Sequence, residues 1–175
     1  MDVAQGEHWT KVIGPFFLFV NSGKSPPELF KEANAQVVKE SQKWPYGWVT
    51  GVDYPKRTER ATVSGRIVLR DPQAKAARMT NLRVGLTYPA YTIQPLPRPG
   101  APALGPRQID WQTDAKHYEF WVRSDENGRF RIPNVRPGKY TLHALADGVL
   151  GEFGRTGLSI ESGTPLHLGT LEWTP

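Results

Sequence analysis

His8 and Lys11 are the first residues whose types could do chemistry. An imidazole and an amine can serve as general base and general acid. On a strand, however, residues three apart point to opposite faces, so both read as ordinary surface residues. The four histidines, His8, His117, His143 and His167, show no metal-ligand spacing. His143 lies between Leu142 and Ala144 and so faces away from the Tyr140 and Leu142 side of its strand. Cysteine is absent, which excludes disulfides and thiolate metal sites. Hydrolysis of a sugar bond needs two flanking carboxylates. Glu119, Asp125, Glu126, Asp147 and Glu152 present no such pair, and Asp125 and Glu126 belong to a turn. No nucleophile elbow, phosphate-binding glycine loop or dinucleotide fingerprint occurs. Trp9, Trp44, Trp48, Trp111, Trp121 and Trp173 can stack on sugars or fill a core. Trp121, on a strand, is assigned to the core. Trp48 and Trp111, in loops, are the candidates for carbohydrate binding.

The elements that must position these groups are clearest between Ser124 and Ala146. Glu126-Asn127-Gly128 is a reversal that tolerates positive φ. Arg129 to Ile132 then alternates, with Phe130 and Ile132 on one face. Arg136-Pro137-Gly138 is a second turn, in which Arg136 reads as solvated and Gly138 as needing positive φ. Tyr140, Leu142 and Ala144 alternate again. Gly128, Pro137 and Gly138 are therefore structural turn residues. Further strands are read at Ala61–Arg70, Leu82–Tyr88, Tyr118–Arg123, Gly148–Phe153, Gly157–Glu161 and Leu166–Trp173, with an irregular proline-rich loop at Pro89–Arg107. The result is an all-β, seven-stranded antiparallel β-sandwich over residues 58–175.

Upstream, Lys11–Asn21 reads as a buried strand centred on Phe16-Phe17-Leu18-Phe19-Val20. A helix starts at Ser25-Pro26-Pro27-Glu28 and runs to about residue 42 or 43, with Leu29, Phe30, Ala33, Val37 and Val38 as its apolar stripe. Trp44-Pro45 stops it. One strand and one helix cannot close a core. Residues 1–50 are thus expected to be the end of a larger domain, joined through a linker at 51–57 that runs into a charged stretch, Asp53–Arg60.

The net charge of +5 is concentrated in Asp53–Arg83, where Lys56, Arg57, Arg60, Arg66, Arg70, Lys75, Arg78 and Arg83 face three acids. Such a stretch is a solvated strand surface or a meeting place for an acidic polymer such as a nucleic acid or a uronic-acid polysaccharide. Six Trp, six Tyr and seven Phe exclude a disordered chain. The one apolar run, Val12–Val20, is too short to span a bilayer. No signal peptide is legible before Glu7, and an exported form would carry its leader upstream.

The stretch HYEFWVRSDENGRFRIPNVRPGKYTLHALADGVLGEF (117–153) resembles the second domain of the rhamnogalacturonan lyases of polysaccharide lyase family 4. GEHWTKVIGPFFLFVNSG (6–23) resembles the closing strand of their catalytic domain, and WPYGWV (44–49) the connector after its helix. ERATVSGRIVLRD (59–71) and LGTLEWTP (168–175) resemble the entry to and exit from the middle domain. The resemblance implies a fibronectin-III-like or prealbumin-like sandwich, preceded by a strand and connector helix from a truncated β catalytic domain. It also implies cleavage of rhamnose–galacturonate linkages of pectin by β-elimination. The family's catalytic lysine and histidine would lie upstream of Gly6, so no catalytic residue is expected in this chain, which would be a scaffold without activity of its own. The expected partners are an acidic pectic polysaccharide and the neighbouring catalytic and C-terminal domains, with no nucleic acid and no membrane. The expected compartment is extracellular or periplasmic. No cofactor or metal is indicated in these residues, and calcium belongs to the full enzyme if anywhere. The competing reading is a standalone carbohydrate-binding or structural β-sandwich.

Overall fold

The computed structural model describes residues 6–71, 82–95, 100, 102 and 104–175. Among these residues, one helix, α1 (Pro26–Lys43), precedes a 3-10 turn (Arg57–Glu59) and nine strands. These are β1 (Ala61–Leu69), β2 (Arg83–Thr87), β3 (Tyr91–Ile93), β4 (Arg107–Ile109), β5 (Phe120–Arg123), β6 (Arg129–Val135), β7 (Gly138–Leu145), β8 (Phe153–Ile160) and β9 (Leu166–Trp173). Among the described residues, one sheet runs β6-β1-β9, a second runs β5-β2-β7-β8, and β3 and β4 form a small hairpin. The fold is an all-β sandwich.

Period-two side chains build the interior. Val63 and Ile67 from β1, Phe130 and Ile132 from β6 and Leu171 and Trp173 from β9 meet Val84 and Leu86 from β2, Tyr140, Leu142 and Ala144 from β7 and Leu158 and Ile160 from β8 in one cluster. Each fully buried aliphatic side chain contributes about 1.5–3 kcal/mol relative to exposure. Most ladders are antiparallel, but β1 pairs in parallel with β9, Ile67 opposite Leu171.

The β5–β6 turn is built locally. The Asp125 carboxylate accepts the amides of Asn127 (2.9 Å) and Arg129 (2.8 Å), while Gly128 turns at φ 73°. Gly138, opening β7, has φ 152°, a conformation that side chains resist. Gly138→Val is expected to cost about 1–3 kcal/mol in denaturant unfolding. A loss below about 0.5 kcal/mol, as at an ordinary surface site, would show that the turn relaxes.

Three expectations are corrected. Lys11–Asn21 forms no strand, and Phe16, Leu18 and Val20 are 86%, 88% and 83% exposed. A strand needs ladder partners, and the described residues offer this segment none. Pro89–Arg107 is not irregular at its ends, because Tyr91–Ile93 pairs with Arg107–Ile109. Gly148–Phe153 is not a strand either. Gly148 and Gly151 reverse the chain at φ 78° and 86°, Leu150 is 94% exposed, and β8 begins only at Phe153. The helix lies where its signals put it, but Ser25 makes no side-chain cap. Glu28 instead accepts the Lys24 amide at 3.0 Å. The helix's apolar stripe is uncovered, with Phe30 71% and Val37 62% exposed.

Candidate functional site

Chemistry-bearing side chains gather where residues 7–12 meet the turn before β5. The Lys116 side chain, 5% exposed, is paired with both oxygens of Glu7 at 2.8 and 2.7 Å. Lys11 Nζ donates to the carbonyls of Ala115 (2.9 Å) and His117 (2.8 Å). The Val12 amide donates to the Tyr118 hydroxyl at 2.8 Å, and Trp9 Nε1 to the Lys116 carbonyl at 3.3 Å.

Asp114 organises the other side of this seam. Its Oδ1 accepts the Lys116 amide (2.8 Å) and the Tyr91 hydroxyl (3.2 Å), and its Oδ2 lies 2.7 Å from His117 Nδ1. Burial alone would raise the Asp114 carboxyl. Hydrogen bonds from His117 and the Lys116 amide, with the charge on His117, hold it below its usual range. Tyr91 is pushed up to about 12 by burial and then by the Asp114 charge. The His117 ring stacks on Tyr88, centroids 3.5 Å apart.

Arg136 closes the seam below. Its guanidinium reaches Asp53 Oδ2 at 2.5 Å and the Asp53 carbonyl at 3.2 Å and lies 4.3 Å over the Tyr118 ring. The reading of Arg136 as a solvated turn residue is corrected: it is 8% exposed, because the 51–57 stretch folds back onto it. Arg136→Ala should cost about 1–3 kcal/mol, since the substitution strips a charged partner and a packed stem. An unfolding midpoint unchanged within error would return Arg136 to the solvent-facing role.

The pocket bordered by Trp9, Tyr88, Lys116, His117, Tyr118 and Arg136 measures about 400 Å³. Of the cations that border it, Lys116 and Arg136 have carboxylate partners and Lys139 is exposed, while Lys11 beside it is spent on carbonyls. What the arrangement does best is fasten the N-terminal segment to the sandwich. His8 is exposed. Among the described residues no group of three His, Cys, Asp or Glu side chains is placed to hold a metal ion.

The carbohydrate candidates separate. Trp48 is 68% exposed beside Tyr46 (5.6 Å). Trp111 is half-buried against Trp121 (5.1 Å) and His143 (5.6 Å), and its Nε1 is buried without a hydrogen-bond partner among the described residues. The assignment of Trp121 to the core is corrected. Phe120 and Val122 face inward, so Trp121 lies on the outer face of β5, against Gly85 of β2. His143 also faces outward; burial first holds its imidazole below its usual range, against the opposing charge of Glu152.

The basic stretch is largely spent internally. Lys56 donates to the carbonyls of Gly47 and Val49, Arg57 to those of Gln42 and Trp44, Arg60 to those of Pro55 and Asn134, and Arg66 to that of Asn127. Arg70 pairs with Glu172. Lys75 and Arg78 lie outside the described residues. Sequence reasoning missed Asp114, three residues before His117 in a turn, and Arg123, which matters only through its cross-strand neighbour.

Two facing β-sheets with a preceding segment clamped to one turn define a β-sandwich module. Residues 94–168 match the family model described as polysaccharide lyase family 4, domain II, which supports reading the chain as part of a rhamnogalacturonan lyase. The rhamnogalacturonate lyase of Dickeya dadantii is 30% identical over 147 residues, 84% of this chain and 20% of the relative. "Probable rhamnogalacturonate lyase B" of Aspergillus niger is 33% identical over 160 residues, 87% of this chain and 20% of the relative. The chain thus spans about a fifth of the length of these curated relatives. Among solved structures, a chain of a type II cohesin–X-dockerin complex from Acetivibrio cellulolyticus aligns over 63% of this chain and 52% of its own, at 18% identity and a TM-score of 0.35, which is too loose to carry an argument.

Proposed function

We propose that this chain is the non-catalytic domain II scaffold of a rhamnogalacturonan endolyase. The whole enzyme cleaves rhamnose–galacturonate linkages of pectin by β-elimination, outside the cell or in the periplasm. The observation that carries the reading is the seam. Residues 7–12 are fastened to 115–118 by five side-chain links, the Lys116–Glu7 pair among them. A catalytic region continuous with that segment would be held rigidly against the sandwich. β-Elimination needs a base beside the C5 proton and an acid for the leaving oxygen. Lys11, the lysine nearest His8 in sequence, is committed to two carbonyls and is not placed for that work. The proposal assigns this chain no metal and leaves calcium to the neighbouring domains.

The test is direct. Incubated with rhamnogalacturonan, the purified chain should release no unsaturated uronate above the buffer rate, followed by ultraviolet absorbance. A rate abolished by His8→Ala or Lys11→Ala would overturn the scaffold reading. Substituted for the matching segment of the Dickeya dadantii relative, the chain should sustain lyase activity; a folded but inactive chimera counts against the assignment.

A further inference from the structure

On the outer face of the β5-β2-β7-β8 sheet, an open pocket of about 400 Å³ is lined by Arg83, Trp111, Trp121, Val122, Arg123 and Leu145. It lies on a different face from the seam and shares no residue with it. Register explains how it forms. Arg83 stands directly opposite Arg123 and beside Leu145, and one step along Gly85 stands opposite Trp121 and beside His143. Gly85 has no side chain, so the Trp121 ring drops onto β2; a Cβ there would lie 2.3 Å from the ring. Trp111 then leans on Trp121 at 52°. Two indoles thus adjoin two guanidinium groups.

The arginines are the telling feature. Like charges directly opposite across a ladder are destabilising. Elsewhere the described basic side chains of the same stretch are tied to carbonyls or carboxylates. Arg83 and Arg123 are exposed and have no hydrogen-bond or ion-pair partner among the described residues. The carboxylate of Glu119 accepts the Trp121 indole N–H at 2.7 Å. A planar cation recognises a carboxylate through paired N–H donors, while an indole face packs on the C–H face of a pyranose.

We propose that this pocket is a subsite for a uronic-acid residue. The carboxylate would lie between Arg83 and Arg123, and the sugar ring against Trp121 and Trp111. The ligand class is an acidic oligosaccharide rather than a neutral one, because two unpaired guanidinium groups give a neutral sugar nothing to neutralise. In the lyase setting the domain would then grip the polymer as well as brace its neighbour. That extension rests on the function proposed above, but the site itself does not.

Calorimetric titration of the full chain with trigalacturonate and with its methyl ester tests this. The free acid should bind, and the ester, with its carboxylates neutralised, should bind at least about tenfold more weakly. Arg83→Gln combined with Arg123→Gln should weaken trigalacturonate binding by about tenfold or more, leave circular dichroism unchanged and not lower the unfolding midpoint, since both side chains are solvent-exposed and their like charges oppose each other across the ladder. Raised salt should weaken wild-type binding but barely affect the double variant. Trp121→Phe should weaken both ligands, with near-ultraviolet dichroism reporting whether the sheet is intact. Equal affinity for acid and ester, a double variant that binds as wild type, or no binding at millimolar trigalacturonate would each overturn the subsite. Those outcomes leave the lyase assignment standing, because the chimera reads it independently.

Discussion

Gly85→Val should destabilise the chain by about 2–4 kcal/mol, a large loss for a residue on the outer face of a sheet. The backbone of Gly85 is ordinary, with no positive φ; the constraint is space. Three atoms of the Trp121 ring would lie within 2.5 Å of an added Cβ. The ring belongs to a rigid indole on the neighbouring strand and cannot shift by a small side-chain adjustment. It must swing off β2, and it then loses its contact with Trp111 and bares the Leu145 side of the pocket. Glycine within a strand often marks such a close approach. Urea unfolding followed by tryptophan fluorescence measures the cost. The cause is isolated by a cycle: Gly85→Val in a Trp121→Ala background should cost less than half as much, because the clash is then gone. Full additivity would show that valine acts through something other than Trp121. A loss under about 0.5 kcal/mol in the single variant would show that the ring has room to move.

Local chemistry decided what the sequence revealed. The turns at 126–128 and 136–138 and the strands beside them were legible because each signal is completed within a few residues. The Asp125 carboxylate caps its own turn, and Gly128 supplies the left-handed φ. β9 and α1 were visible for the same reason. What needs a distant partner was hidden. The parallel pairing of β1 with β9 joins residues about a hundred positions apart in sequence, and no local pattern encodes it. Lys11–Asn21 carried every mark of a strand, yet strands are made by their neighbours. The pocket on the outer sheet illustrates this best. Trp111 was recognisable as an aromatic in a loop, and Arg83 as one member of a basic stretch. That Arg123 stands opposite Arg83, and Trp121 opposite Gly85, follows only from the register of β2 against β5. The Trp121 misassignment arose because aromatic residues on strands usually face inward, and only the emptiness of Gly85 makes the outward position a packed one.

Asp114→Ala should cost about 3 kcal/mol or more, because one carboxylate with a 6%-exposed side chain serves several donors at once. Removing it strands the Lys116 amide, the Tyr91 hydroxyl and His117 Nδ1 together, now bonded at 2.8, 3.2 and 2.7 Å. Each orphaned buried donor costs about 1–3 kcal/mol, discounted here because His117 is partly exposed. Asp114→Asn keeps the shape and the Oδ1 acceptor, so it should cost less and should lose mainly the charge-assisted part. That difference has a pH signature. The Asp114 carboxyl is held below its usual range in the fold. A depressed carboxyl contributes stability that is present above its unfolded value, about 3.9, and lost as pH falls through the lower folded value. The wild type should therefore exceed Asp114→Asn in stability at pH 5 to 7, and the gap should close as pH drops below about 4. A gap that does not change with pH would mean the carboxylate acts only as a neutral acceptor. Because Lys116, whose amide Asp114 holds, also grips Glu7, the same variant should release residues 7–12 from the sandwich. Amide exchange at Val12, bonded to Tyr118, should then rise more than exchange in β7. Equal rises in both would show that the seam does not open on its own but unfolds with the sandwich as one unit, and that the N-terminal segment is part of its cooperative core.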